Sequence, residues 1–346
     1  MNFGKVGAGL CTILTMIAVP AFADSHRATM AADGGTPGQG SAIFRIDDGT
    51  TPTCIDRNTD RVTFGMIKFV LTKESSWFSE DRTATLYLNV TIRGASDGTS
   101  QDPVSVAKTV KADLTSFDTN NLANIAYEDD IIEAIVLKND KDKNVFTSMA
   151  VGVALIKQKG DSEATTVLKG LVNAANSISI PSNPYSAGFK LASTYVSSVL
   201  NPLVDAAQKD ETVFGGQQIT MRFSSSSTCG TGDQKTGTIL VVYSVNDLTK
   251  PGTIDIGNVG AYCDIKVFNG QTFDAQVKAK SAASGCDDTS GYVTLQNPYV
   301  AFFVNSEVAA LTVAGTGSTA ARRAKALKEA SLKRCETWGI ARARCH

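Results

Sequence analysis

The chain has 346 residues, 42% of them apolar, and its 33 Lys/Arg against 34 Asp/Glu give a formal net charge of −1. That length supports one large domain or two ordinary ones, and no nucleic-acid partner is expected. The only histidines are His26 and His346, the latter the last residue. A body without imidazole weakens Ser-His-Asp and Cys-His mechanisms and removes the usual nitrogen ligands of catalytic zinc. A phosphate-binding loop of the G-x-x-x-x-G-K-[ST] kind is also missing.

Lys5 precedes an apolar run from Val6 to Val19, followed by Ala21-Phe22-Ala23. This is the layout of a secretory signal peptide over 1–23, with cleavage before Asp24. Cys11 leaves with it; the apolar run continues past that cysteine, so cleavage at Ala23 fits better than a lipoprotein anchor. Removing 23 of 346 residues leaves 323, with six cysteines: Cys54, Cys229, Cys263, Cys286, Cys335 and Cys345. An even count in an exported chain suggests three disulfides, although six cysteines allow 15 pairings. Proximity in sequence suggests Cys263 with Cys286 and Cys335 with Cys345, leaving Cys54 with Cys229. No later segment reaches the ~18 apolar residues of a membrane helix. Two Trp and eight Tyr are few for the aromatic girdles of a membrane barrel. The mature protein is therefore expected to be soluble, and periplasmic or extracellular.

Residues 24–52, with the run Asp33-Gly34-Gly35-Thr36-Pro37-Gly38-Gln39-Gly40, have little to bury and suggest a flexible leader. From about residue 53 the pattern turns to strands. In 83–93, Leu86, Leu88, Val90 and Ile92 alternate with Thr85, Tyr87, Asn89 and Thr91, the period of a half-buried strand. Further strands are expected at 61–71, 131–137, 150–157, 219–224, 237–245, 291–295 and 299–304. Asn269-Gly270 between 262–268 and 271–279 predicts a two-residue hairpin turn, because both turn positions need positive φ. Many short strands with polar turns argue for a mainly β, antiparallel β-sandwich body over 53–312. Within it, 162–176 and the stretch after Pro184 carry apolar residues at helical spacing. They predict an inserted helical pair at about 161–209, broken near Pro202.

Gly315-Thr316-Gly317-Ser318-Thr319 suggests a linker, so 313–346 forms a linker and a short helical tail closed by a Cys335/Cys345 loop. Residues 320–346 carry Arg322, Arg323, Lys325, Lys328, Lys333, Arg334, Arg342 and Arg344 against Glu329 and Glu336, a net of +6. Once Lys5 is lost the body is left at −8. A basic tail on an acidic body suggests docking to an anionic surface; equally, the tail folds onto its own body.

Two short motifs offer other chemistry. Ser105-Val106-Ala107-Lys108 fits S-x-x-K and Lys235-Thr236-Gly237 fits K-T-G. Together they resemble two of the three signatures of penicillin-binding proteins and serine β-lactamases, without an S-D-N between them. The resemblance implies a nucleophilic Ser105 with Lys108 one helical turn away and Lys235 lining the site from a strand. Asp140, Asp142 and Asn144 space three oxygen side chains by two, as an EF-hand loop begins. Val145 and Val151 stand where its glycine and glutamate belong, so the segment is no EF-hand. It is similar instead to the acidic loops with which C2 domains share calcium, with Asp97, Asp102, Asp129 and Asp130 as further donors; a solvated turn is the simpler reading. Trp77 suggests a strand-end anchor rather than a sugar platform, and the Asn89-Val90-Thr91 sequon lies inside a strand.

The sequence thus points by exclusion to a non-catalytic binding or structural protein of the bacterial cell envelope, with no required cofactor. Its body loops would contact an envelope protein and its tail an anionic surface. The alternatives are a serine hydrolase of penicillin-binding type and a calcium-dependent adhesion or lipid-binding domain.

Overall fold

The computed structural model describes residues 25–30, 41–72, 83–96, 99–100, 104–113, 122–126, 130–139, 144–157, 213–245, 248–262, 265–269, 273–279, 291–309 and 319–345. They are mainly β and antiparallel. In chain order the strands are β1 (Ser25–Met30), β2 (Ser41–Ile46), β3 (Asp60–Thr72), β4 (Thr83–Ser96), β5 (Thr99–Ser100) and β6 (Val104–Asp113). There follow β7 (Leu122–Ala126), β8 (Asp130–Val136), β9 (Lys138–Asn139), β10 (Asn144–Lys157), β11 (Val213–Arg222) and β12 (Gly237–Tyr243). The last are β13 (Ile265–Asn269), β14 (Phe273–Val277), β15 (Val293–Thr294) and β16 (Tyr299–Val308), before the one α-helix among the described residues, α1 (Thr319–Trp338).

Ten strands form one sheet in the order β15-β14-β13-β1-β2-β12-β16-β3-β7, with β8 also paired to β3. β3 holds both because it is long: β8 runs beside Arg61–Gly65 and β7 beside Lys68–Thr72. The other six form a second sheet, β11-β10-β4-β5, with β6 on β4 and β9 on β10. Its spine is the β4–β10 pair, in register from Asn144↔Ser96 to Lys157↔Ala84 around one shift.

The core is built on the middle of the large sheet. All seven residues of β12 are buried, the run GTILVVY having no solvent face. On one face Phe44, Ile67, Leu240, Val242, Tyr299 and Phe303 pack together, and the 3₁₀ turn Ile256–Ala261 lends them Ile256 and Val259. Trp338 and Ile340 cover the same cluster from the tail. On the other face Phe64 and Phe302 meet at a ring separation of 4.9 Å. Gly65 sits under Phe303 so closely that a Cβ there would lie 2.4 Å from the ring. Asn297, fully buried, pins a loop by accepting from Ile254 N at 2.7 Å and donating to the carbonyls of Tyr243 and Ile254.

Several expectations change. Residues 24–52 are not a leader throughout: β1 and β2 come from them and lie inside the large sheet. The Gly-rich run 33–40 is outside the described residues, but SAIFRI at 41–46 alternates little and is almost wholly buried, so it needs no polar face. Composition averaged over 24–52 hid this strand. His26 is correspondingly part of the sheet, opposite Val267. β6 and β7 are strands that the sequence left unassigned. The hairpin at Asn269 forms, yet Asn269 pairs with Phe273, so the connection is 270–272 rather than a two-residue Asn-Gly turn. The helical pair at 161–209, Trp77, and the Cys263 and Cys286 pairing all lie outside the described residues.

Candidate functional site

The most developed polar arrangement is where the tail meets the sheet. Residues 319–338 favour a helix because Ala, Leu, Lys, Arg and Glu dominate without an internal Gly or Pro. Gly339 stops it: at φ +64° it takes the left-handed conformation, with Gly339 N donating to Glu336 O and Ile340 N to Cys335 O at 2.8 Å. Those two bonds form a Schellman cap. Arg323, Leu327, Ser331, Arg334, Cys335 and Trp338 recur at three- and four-residue steps and share one face. Leu327, Ser331, Arg334 and Cys335 are buried.

Two arginines on that face bind two buried aspartates. Arg323 forms a fork with Asp60, Nη1 to Oδ1 and Nη2 to Oδ2, each 2.7 Å, and Nη2 also donates to Cys54 O at 2.9 Å. Asp60 is 0% exposed and also accepts from Ser306 Oγ, Thr59 Oγ1 and Asp56 N, each at 2.9 Å. This saturates its oxygens, as a buried carboxylate requires. The paired carboxylate raises the affinity of Arg323 for its proton still further.

One helical stretch later Arg334, 1% exposed, donates from Nε to Asp48 Oδ2 at 2.7 Å, from Nη2 to Thr50 Oγ1 at 2.8 Å, and from Nη1 to Asn305 Oδ1. Asp48 accepts as well from Thr238 Oγ1 at 2.7 Å and Thr50 N at 3.1 Å. Burial pushes its carboxyl pKa up, but the Arg334 charge and the hydroxyls of Thr50 and Thr238 outweigh that and hold it below 3.8. Trp338 Nε1 donates to Thr238 Oγ1 at 2.9 Å, and Lys333 Nζ to Gly49 O at 2.6 Å. Beyond the cap, the Cys335–Cys345 disulfide folds the chain end back, Ser331 Oγ donates to Cys345 O, and the Arg344 guanidinium lies 5.4 Å from the Phe303 ring centre.

The cations expected to face an anionic surface thus divide. Arg323 and Arg334 are corrected from surface groups to inward ion pairs, since each finds a buried carboxylate on its own body. Arg344 is half-buried on Phe303. Arg322, Lys325, Lys328, Lys333 and Arg342 remain exposed, alongside Glu329 and Glu336, which pair with Lys325 and Arg342. The inward stripe was present in the sequence as Arg323, Leu327, Arg334 and Trp338 at helical spacing; counting charge without phase concealed it.

The S-x-x-K segment is a strand and not a helix. Ser105 and Lys108 lie in β6, opposite Thr91 and Leu88. They are thus three residues apart on a strand, whereas S-x-x-K chemistry needs them one helical turn apart. Lys235 forms an isolated bridge with Cys54 ahead of β12. Of the calcium candidates, Asp140 and Asp142 lie outside the described residues, and Asn144 begins β10 opposite Asn139 and Ser96. No group of three His, Cys, Asp or Glu able to hold a metal occurs among the described residues. Cys335 pairs with Cys345, as proximity suggested, and Cys54 with Cys229, the pair that choice left over. Among the described residues no helix is long and apolar enough to cross a membrane. Comparison with protein-family models, with characterised proteins and with solved structures finds no match.

Proposed function

We propose that this is an exported, non-catalytic binding or structural protein of the cell envelope that meets an anionic surface through the outer face of α1. The observation that carries the reading is the division of the tail's cations by face. Arg323 and Arg334 anchor the helix to the body, and the five exposed cations outnumber the two acids beside them. A helix so anchored offers its charge without unfolding. Its apolar stripe is turned inward, which favours electrostatic contact over insertion into lipid. The two disulfides among the described residues suit an oxidising compartment and the signal-like first 23 residues suit export. The finer architecture belongs to the same proposal. The two sheets face one another as a sandwich, a reading supported by the burial of Met149, Val151 and Met221 on the second sheet and of Phe64, Val241 and Phe302 on the first.

The test is crosslinking in cells of the natural chain and of a chain carrying Arg322→Glu, Lys325→Glu, Lys328→Glu and Arg342→Glu. These changes spare both inward pairs. Capture of an anionic envelope component should fall at least tenfold in the variant, and in the natural chain it should weaken with salt, since screening acts over ~10 Å at 0.1 M. Equal capture by both chains, or capture indifferent to salt, would remove the tail from the account.

A further inference from the structure

The inner face of α1 supports a separate inference. We propose that the body carries a receptor groove for an arginine-bearing amphipathic helix, filled by its own tail in the single chain and by the tail of a second copy when chains associate.

The groove has two guanidinium seats. One is the Asp60 carboxylate with Cys54 O; Ser306 Oγ, Thr59 Oγ1 and Asp56 N hold that carboxylate in place. The other is Asp48 Oδ2, Thr50 Oγ1 and Asn305 Oδ1, with Thr238 Oγ1 fixing Asp48. All these acceptors belong to the body: Asp60 opens β3, Asn305 lies in β16, and Asp48, Thr50 and Cys54 lie between β2 and β3; body residues hold both carboxylates independently of the tail. A planar guanidinium matches such forked acceptors in a way that a lysine cannot. Eleven residues separate Arg323 from Arg334, about three helical turns, so a helix meets both seats only in one phase, with Leu327 and Ser331 between them.

The tail in turn is a self-contained module. Its own Schellman cap and its own disulfide, Cys335–Cys345, close it. The other disulfide found among the described residues, Cys54–Cys229, lies wholly in the body. Apart from the main chain through 310–318, the contacts described between tail and body are noncovalent. A second copy presents an identical tail, and exchange of an identical element between protomers needs no new contact. The resident tail competes at an effective concentration on the order of millimolar, so exchange needs chains crowded to that level or a tail denied its own groove.

The experiment places a specific protease site within 313–318, folds the full chain, cuts it, and adds a fluorescent peptide of residues 319–345 with its disulfide closed. The cut chain should retain its tail through gel filtration and trade it for the labelled peptide, and Arg323→Ala or Arg334→Ala in the peptide should each weaken capture more than tenfold. A tail that departs with no capture of peptide, or one that stays without exchanging until the body unfolds, overturns the proposal. A second form deletes 310–318, so that Ala309 and Thr319 are joined directly, their Cα atoms ~3.8 Å apart. It should run as a dimer with α1 protected from hydrogen exchange. A folded monomer with α1 unprotected counts against the groove's accepting a tail in trans. Salt-dependent capture by the outer face is read in a different assay, so either reading can fail alone.

Discussion

Replacing Arg334 by methionine would test the tail interface at its most buried point. The change keeps most of the side-chain length and removes three donors, those to Asp48, Thr50 and Asn305. Asp48 retains Thr238 Oγ1 and Thr50 N, but its charge, 3% exposed, loses its only described counter-ion. Breaking one side of a buried pair in this way costs about 3–5 kcal/mol, more than the net worth of the intact pair. The loss has a ceiling. Once α1 lifts away, Asp48 meets water and the penalty stops growing, so the cost cannot exceed the docking free energy of the tail. The variant should therefore show early loss of hydrogen-exchange protection over 319–338 ahead of global unfolding, a sub-global opening. The double variant Asp48→Leu with Arg334→Met should recover much of the loss, since an apolar pair of similar volume is often neutral. A double-mutant cycle by urea unfolding, with exchange read at α1, decides the matter. Loss under about 1 kcal/mol in the single variant, or no recovery in the double, would refute the claim that the tail is seated by this pair.

Three further outcomes follow from the same geometry. Asp48 titrates below its ordinary value when folded, so its contribution is complete above pH ~3.8 and is lost as pH falls through its folded pKa; protection of α1 should hold from neutral pH to about 4 and then fall, which exchange at stepped pH would read. Protection that stays flat down to pH 2 would argue against the buried pair. Gly65→Ala should cost about 1–3 kcal/mol by overpacking, because its Cβ would strike the Phe303 ring at 2.4 Å; thermal unfolding measures it, and Phe303→Leu should restore part of it. Opening Cys335–Cys345 as a double Ser variant should remove about 2–3 kcal/mol for its sequence separation of ten, seen as fraying beyond Gly339 while the large sheet keeps its protection.

How much of this was legible in the sequence follows from what each signal averages over. β4 was legible because its Leu/Val/Ile and Thr/Tyr/Asn positions alternate along its length, the period of a strand. Cys335 and Cys345 were legible because ten residues leave little freedom in pairing. β2 was not: a strand buried on both faces carries no alternation, and its six residues stood beside a Gly-rich run that dominated the composition. Nor could Ser105 and Lys108 be placed, since S-x-x-K has chemical meaning only on a helix and the valines at 104, 106 and 110 argue for a strand. The tail shows the deeper limit. Net charge and helix propensity are sums over residues, and they describe a cationic helix correctly. Whether an arginine faces water or a carboxylate depends on the phase of that helix against Asp48 and Asp60, more than 260 residues earlier in the chain. That phase goes with the burial of Leu327 and the packing of Trp338 on the sheet's core, so the burial of apolar groups decides which of the charges remain to act outside the molecule.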